Sequence, residues 1–176
     1  MVGVGDAGKE SALARCSVVG GDGATLYDKH VRPNARITDF RTQFSGVRPK
    51  DLKREAVSLK ECQRAVADLI DGKMLVGHAI HNDLKVLLLS HPQRMTRDTA
   101  KYKPLMRKTV RGKHLPRKLR ELAKQYLGLD IQGGEHSSVE DARAALLLYL
   151  KHRPSWEASI VERRKRRPLR KSSKVK

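Results

Sequence analysis

Hydrophobic and polar positions change period several times along the chain, and each change marks an element. Residues 13–19, "LARCSVV", alternate as a strand does. "TLYDKHV", 25–31, alternates again after the turn residues "GGDGA", so the two runs predict a hairpin. Pro33 ends it, and "TDFRTQFSGVRPKDL" reads as loop until a helix begins near Asp51. Leu59, Cys62, Val66, Leu69 and Ile70 recur at helical spacing through 58–71. "KMLVGHAI", 73–80, is a short unbroken apolar run, as a buried parallel strand gives, and it leads straight into "HNDLKVLLL", a helix with Leu84, Leu87 and Leu88 on one face. Residues 92–120 show no long apolar run until "LPRKLRELAKQYLGL", an amphipathic helix stopped by Gly128. Ser137 and Glu140 then form an S-x-x-E capping box before an alanine- and leucine-rich helix over 138–151. A hairpin followed by strand–helix units predicts an α/β fold, a mixed sheet flanked by helices.

Composition narrows the function. A chain of 176 residues suits one domain, here residues 1–160. The formal net charge of +19 calls for a polyanionic partner, nucleic acid above all. The segment 163–176, "RRKRRPLRKSSKVK", holds nine Lys or Arg and no acid, yet residues 1–162 without it still carry +10. Residues 161–176 are expected to be a disordered basic tail. Aromatic residues are only 4%, which disfavours a base-stacking platform. No apolar run approaches the ~20 residues of a membrane span, so no membrane partner is expected. Cys16 and Cys62 lack zinc spacing and read as small buried thiols in a reducing compartment.

Several motifs compete for the chemistry. "GVGDAG" has the G-x-G-x-x-G form of a dinucleotide cradle, but no strand is expected before it and a strand-like segment follows, so a turn is expected. His78 and His81 form H-x-x-H, for which hydrogen-bonded structural histidines are the simpler account. No G-x-S-x-G elbow exists. Asp83 lies where a buried strand hands over to a helix, the end at which open α/β sheets place ligands. Asp141 sits in the first turn of the capped helix, and His136 stands one residue before the cap. Either aspartate alone is more often a helix-start acid complementing the dipole. Together, beside a basic surface and an otherwise unexplained histidine, they suit phosphodiester hydrolysis assisted by two Mg²⁺ ions ~4 Å apart, with histidine taking a proton from water.

"GHAIHNDLKVL", "RDTAKYKP" and "EHSSVEDARAALLLY", in that order, closely resemble the DEDDh 3′→5′ exonucleases, and within them the RNA exonuclease 4 group. "LARCSVV", "LYDKHVRP" and "TDFRTQFSGVRPKDL" match as well, extending the resemblance over about residues 1–157. It implies a ribonuclease-H-like fold, Mg²⁺ or Mn²⁺ as cofactor, and release of nucleoside monophosphates from the 3′ end of RNA, with single-stranded DNA as a second substrate. It also implies ribosomal RNA processing in the nucleus and nucleolus. Asp83 matches the second-motif aspartate, while His136 and Asp141 match the general base and metal-ligating aspartate of the third. The family's first motif, D-x-E on a central strand, reads Asp-Cys-Glu followed by Met-Val-Gly, and this chain opens "MVGVG". The resemblance therefore implies a fragment or truncated gene model lacking both first-motif acids and the central strand. Weak binding of two metals and marginal stability, or a slot filled in another way, are the consequences expected. The alternative is a catalytically dead nucleic-acid-binding form.

Overall fold

The structure, a computed structural model, describes residues 1–166. In chain order it contains β1 (Val2–Val4), β2 (Glu10–Ala12), β3 (Arg15–Val19), β4 (Thr25–Arg32) and β5 (Ile37–Asp39), then the one-turn helices α1 (Thr42–Ser45) and α2 (Asp51–Arg54). β6 (Val57–Ser58), α3 (Leu59–Ile70), β7 (Leu75–Gly77), α4 (Ile80–Val86) and β8 (Thr96–Asp98) follow. β9 (Arg107–Lys108) and β10 (His114–Leu115) precede α5 (Leu119–Leu127) and α6 (Ser138–Lys165).

The hairpin forms as its alternation dictates, with β3 antiparallel to β4 from Arg15↔His30 to Val18↔Tyr27. Gly23 adopts φ +81° in the turn, and Asp22 accepts a 3.0 Å bond from the Ala24 amide. α3 starts at Ser58, whose hydroxyl accepts from the Glu61 amide, and it buries Cys62, Val66 and Ile70, spaced four apart. These pack against Leu13, Val31 and Leu87 in one core. A second core lies between α5 and α6, where Leu122, Leu148 and Trp156 meet Leu105.

Strands β1 and β8 arise where the residue pattern gives no signal. Val2–Val4 is a buried strand rather than part of a turn, and it pairs antiparallel with both β2 and β5. Its three residues are too few to display a period. Beyond it, Gly5 and Gly8 take φ +70° in a tight turn, so "GVGDAG" links two strands and opens no long helix. β8, "TRD", has no apolar residue, yet it pairs parallel with β7 and buries Arg97 and Asp98. Partners elsewhere make that burial tolerable. Arg97 donates to both carboxylate oxygens of Glu157, at 2.6 and 2.7 Å, and ties β8 to α6.

α6 outruns its expected end at residue 151. Pro154 removes one helical hydrogen bond, but Trp156 stacks on Tyr102 at 4.0 Å and the Arg97–Glu157 pair secures the next turn. The helix continues through Lys165, so residues 161–165 are helical where a disordered tail was expected; the remainder of that tail, from 167, lies outside the described residues. No helix among the described residues is long and apolar enough to cross a membrane.

The strands do not join into one sheet. β4 pairs with β3 and, in parallel, with β6, while β7 pairs only with β8. Among the described residues nothing pairs with the second edge of β3 or of β7. Both edges border a cleft of about 750 Å³, lined by Arg15–Val18 on one side and Leu75–Gly77 on the other. Among the described residues, no strand bridges these two edges. Helices α3 and α6 supply the cleft's apolar walls through Val66, Ile70, Ala142 and Ala145.

Candidate active site

The cleft brings together all three site residues that the sequence singles out. Asp83, His136 and Asp141 line it, alongside Met1, His78 and Gln132. Each is aimed by a separate piece of local structure.

Asp83 rides on α4, and α4 starts abruptly. Ala79 caps it in the left-handed region, φ 57° and ψ 37°, which costs an L-residue roughly 1–2 kcal/mol. Asp98, at the end of the neighbouring β8, holds this strained turn: its Oδ1 accepts from the Ala79 amide at 2.8 Å and from Ala100 at 3.0 Å. Its other oxygen is buried without a hydrogen-bond partner, with Lys101 Nζ at 3.8 Å. Asp98 therefore sets the course of the helix that carries Asp83. Burial in the cleft pushes the Asp83 carboxyl up to about 6, opposed by the amino group of Met1. The residue is nonetheless exposed to water, so solvent screens the charge and weakens the effect.

Asp141 and His136 straddle the start of α6. The Ser137 side chain caps the helix by accepting from the Glu140 amide. Asp141, in the first turn, accepts from Gln132 Nε2 at 2.8 Å. Burial raises its pKa, while the Gln132 bond and His136 work the other way. His136 is half-buried and clamped from outside the helix. Its amide donates to the Gln43 carbonyl at 3.3 Å, and its ring meets Phe44 edge-on at 5.6 Å. Gly46, φ +63°, lies so close that any Cβ there would strike the His136 carbonyl. α1, in the stretch read as loop, is thus the support for His136.

A hydroxyl chain fixes the cleft's other flank. Ser17 Oγ donates to Asp28 Oδ1 at 2.7 Å, so the Ser138 hydroxyl, 2.6 Å away, donates to Ser17. Arg15 grips both oxygens of Asp28 and holds that carboxyl below the usual carboxylate range. This chain joins β3 to the first residue of α6. Nothing in the sequence marks Gln132, nor Ser17, Ser138 or Gly46, the last three because each acts through a partner distant along the chain.

His78 hydrogen-bonds Thr99 Oγ1 at 2.9 Å and is driven toward its neutral form by burial. Its hydrogen bonding fits a structural histidine. Cys16 and Cys62 are free thiols, and the pairing with Cys62 together with burial pushes the Cys16 thiol up.

The donor set limits what metal the cleft can hold. A Mg²⁺ ion commonly takes one or two carboxylates, waters and substrate phosphate oxygens, and Asp83 and Asp141 are the cleft carboxylates of the right type and number to serve one ion. Among the described residues no cluster of three His, Cys, Asp or Glu side chains is placed to bind a metal. Two Mg²⁺ would bring four positive charges against the two of this aspartate pair. These residues do not make a two-ion site.

Comparison with known proteins gives these features a context. RNA exonuclease 4 of Mycosarcoma maydis is 54% identical over 167 residues, covering 94% of this chain and 44% of that protein. The human RNA exonuclease 4 is 47% identical, covering 93% and 38% respectively. The chain thus spans about two fifths of the length of these two relatives. Among solved structures, the Pan2 pseudoubiquitin hydrolase–RNA exonuclease module of Saccharomyces cerevisiae, in complex with AAGGAA RNA, superimposes with a TM-score of 0.76 at 32% identity, over 92% of this chain and 29% of that one. The Neurospora crassa Pan2 catalytic unit gives 0.71 at 27% identity, over 90% and 27%. The mixed sheets flanked by helices are therefore those of the ribonuclease-H-like exonuclease fold. With the exonuclease family model (RNase_T) matching residues 1–149, this chain belongs to the exonuclease family.

Proposed function

We propose that this chain is the nuclease domain of a 3′→5′ RNA exonuclease that releases nucleoside monophosphates with the help of Mg²⁺ or Mn²⁺. The observation that carries the reading is the grouping of His136, Asp141 and Asp83 on the walls of one cleft, with His136 clamped just outside the helix that holds Asp141. His136 accepts a proton from the water that attacks the last phosphodiester. The bond from phosphorus to the 3′ oxygen of the preceding nucleotide then breaks, that oxygen takes a proton, and a 5′-monophosphate leaves. Asp83 and Asp141 are the residues that would hold a divalent ion, whose role is to polarise the phosphate and neutralise its developing charge. Relatives named RNA exonuclease 4 and neighbours solved with RNA support RNA as substrate. Single-stranded DNA as a second substrate, ribosomal RNA processing, and a nuclear and nucleolar location guided by the basic segment 163–176 belong to the same proposal.

A 5′-labelled single-stranded RNA tests it. The expected result is a descending ladder of 3′-shortened products that appears with Mg²⁺ or Mn²⁺ and vanishes with a chelator. His136→Ala and Asp141→Asn should each lower the rate by roughly 10²–10⁴, the range for loss of a general base or its setting. Chelator-resistant cleavage, or wild-type rates in both variants, overturns the reading. The two-carboxylate donor set favours a second reading, a form that binds RNA without cutting it. That reading predicts salt-sensitive RNA affinity and no ladder with either metal.

A further inference from the structure

β9 and β10 form a two-stranded ribbon that packing does not explain. Its turn is well made: the Thr109 amide donates to the Lys113 carbonyl at 2.8 Å, Gly112 to the Thr109 carbonyl at 2.9 Å, and Lys113 to Thr109 Oγ1 at 3.1 Å. Gly112 takes φ +75°, which glycine alone adopts freely. The ribbon contributes no buried side chain, and Val110 at its tip is fully exposed. An isolated two-stranded ribbon is marginal in water, so an ordered one without a core face calls for another purpose.

Its charge supplies one. Residues 107–115 carry Arg107, Lys108, Arg111 and Lys113 and no acid. All four are exposed, and none joins an ion pair among the described residues. Lys108 stands opposite His114 across the pair, so one face offers donors from both strands. The ribbon also leads into the cleft. Beyond β10, Lys118 and Arg120 line the cleft that holds Asp141 and His136. From Lys118 back to Lys113 the chain can extend on the order of 16 Å, at about 3.3 Å per residue.

We propose that the ribbon 107–115 is a phosphate-tracking arm for single-stranded RNA whose 3′ end lies in the cleft. The inference rests on the nuclease reading for the position of that end. Recognition is electrostatic and independent of base identity, because the arm offers cations and no Phe, Tyr or Trp ring.

The test is a salt titration of RNA affinity, with metal chelated so that binding alone is read. The fourfold variant Arg107→Ser, Lys108→Ser, Arg111→Ser, Lys113→Ser is compared with a charge-matched control, Lys50→Ser, Lys53→Ser, Lys60→Ser, Arg64→Ser, placed on exposed positions of the α2–α3 region. Each phosphate contact to a single strand contributes about 0.7 to the slope of log affinity against log salt. The ribbon variant should therefore show a slope shallower by about 3 and an affinity for a dodecanucleotide lower by roughly 10²–10³ at low salt. Its binding of a dinucleotide, its circular dichroism and its melting midpoint should stay unchanged, while the control shifts the slope much less. An unchanged slope in a folded ribbon variant, or an equal loss in the control, overturns the proposal. Cleavage in Mg²⁺ is followed separately: a ribbon-dependent slope without any metal-dependent ladder defeats the nuclease reading alone, and an intact ladder with an unchanged slope defeats the arm alone.

Discussion

Single residues in the cleft are in tension with the fold that holds them. Asp83 is the clearest case, because burial lifts its carboxyl from an ordinary value near 3.9 to about 6. The folded chain therefore binds this proton more tightly than the unfolded chain does. Between about pH 4 and pH 6 the contribution of Asp83 to stability declines as pH rises, and above that window the loss is complete and level. Asp83→Asn should remove this decline and raise the melting midpoint at pH 7, while weakening Mn²⁺ binding measured by calorimetry. A lower midpoint at pH 7 would show that the carboxylate serves the fold. Asp98 behaves in the opposite way. Its Oδ1 holds two backbone amides, so Asp98→Ala should cost about 2–3 kcal/mol in urea unfolding through two lost charge-assisted bonds. Asp98→Asn keeps an acceptor for both amides and replaces the buried, unpartnered Oδ2 with an amide nitrogen. It should stay close to wild type, and equal losses in the two variants would refute this assignment.

At the scale of elements, the contrast between α3 and β8 shows what a sequence can reveal. α3 displays its buried face as Cys62, Val66 and Ile70 and its start as Ser58, all within a dozen residues, so period and cap locate it. The hairpin of β3 and β4 and the capped start of α6 are legible for the same reason. β8 is polar throughout and is buried only because Glu157, sixty residues away, and the backbone of residues 79 and 100 satisfy it. No local pattern can encode that. The site divides along the same line: His136, Asp141 and Asp83 stand out by position and by resemblance, whereas Gly46 and Asp98 act through long-range contacts. The start of α4 shows how such a contact can be probed. Ala79 holds a left-handed conformation that glycine reaches without strain, so Ala79→Gly should stabilise the chain by about 1 kcal/mol in urea unfolding. A loss of stability would mean that the Ala79 methyl packs more usefully than its backbone strains.

The whole molecule is governed by the two unpaired strand edges that face its cleft. β3 and β7 each carry one paired and one unpaired edge, and the unpaired edges line a cleft of about 750 Å³ where a sheet interior would ordinarily be. Strand edges left this way lack hydrogen-bond partners and invite association with other chains. The residues of both strands are only half-buried, although α3 and α6 flank them with apolar side chains. The two larger cores, one around α3 and one between α5 and α6, are separate clusters, with a smaller one at Val2, Ala14 and Val47, and the Ser17–Ser138 bond together with the packing of α6 on β3 and β7 bridges the larger two. A molecule held in this way should unfold at a midpoint below about 45 °C, the lower end of the usual mesophile range. Hydrogen exchange gives the sharper test, because antiparallel pairing with β4 protects only alternate amides of β3. The amides of β3 that point to β4 should exchange slowly, and those that point into the cleft should exchange at rates typical of exposed backbone. Uniform protection along β3, with a sharp transition above about 60 °C, would mean that another strand, from this chain or from a second copy, occupies the centre of the sheet in solution.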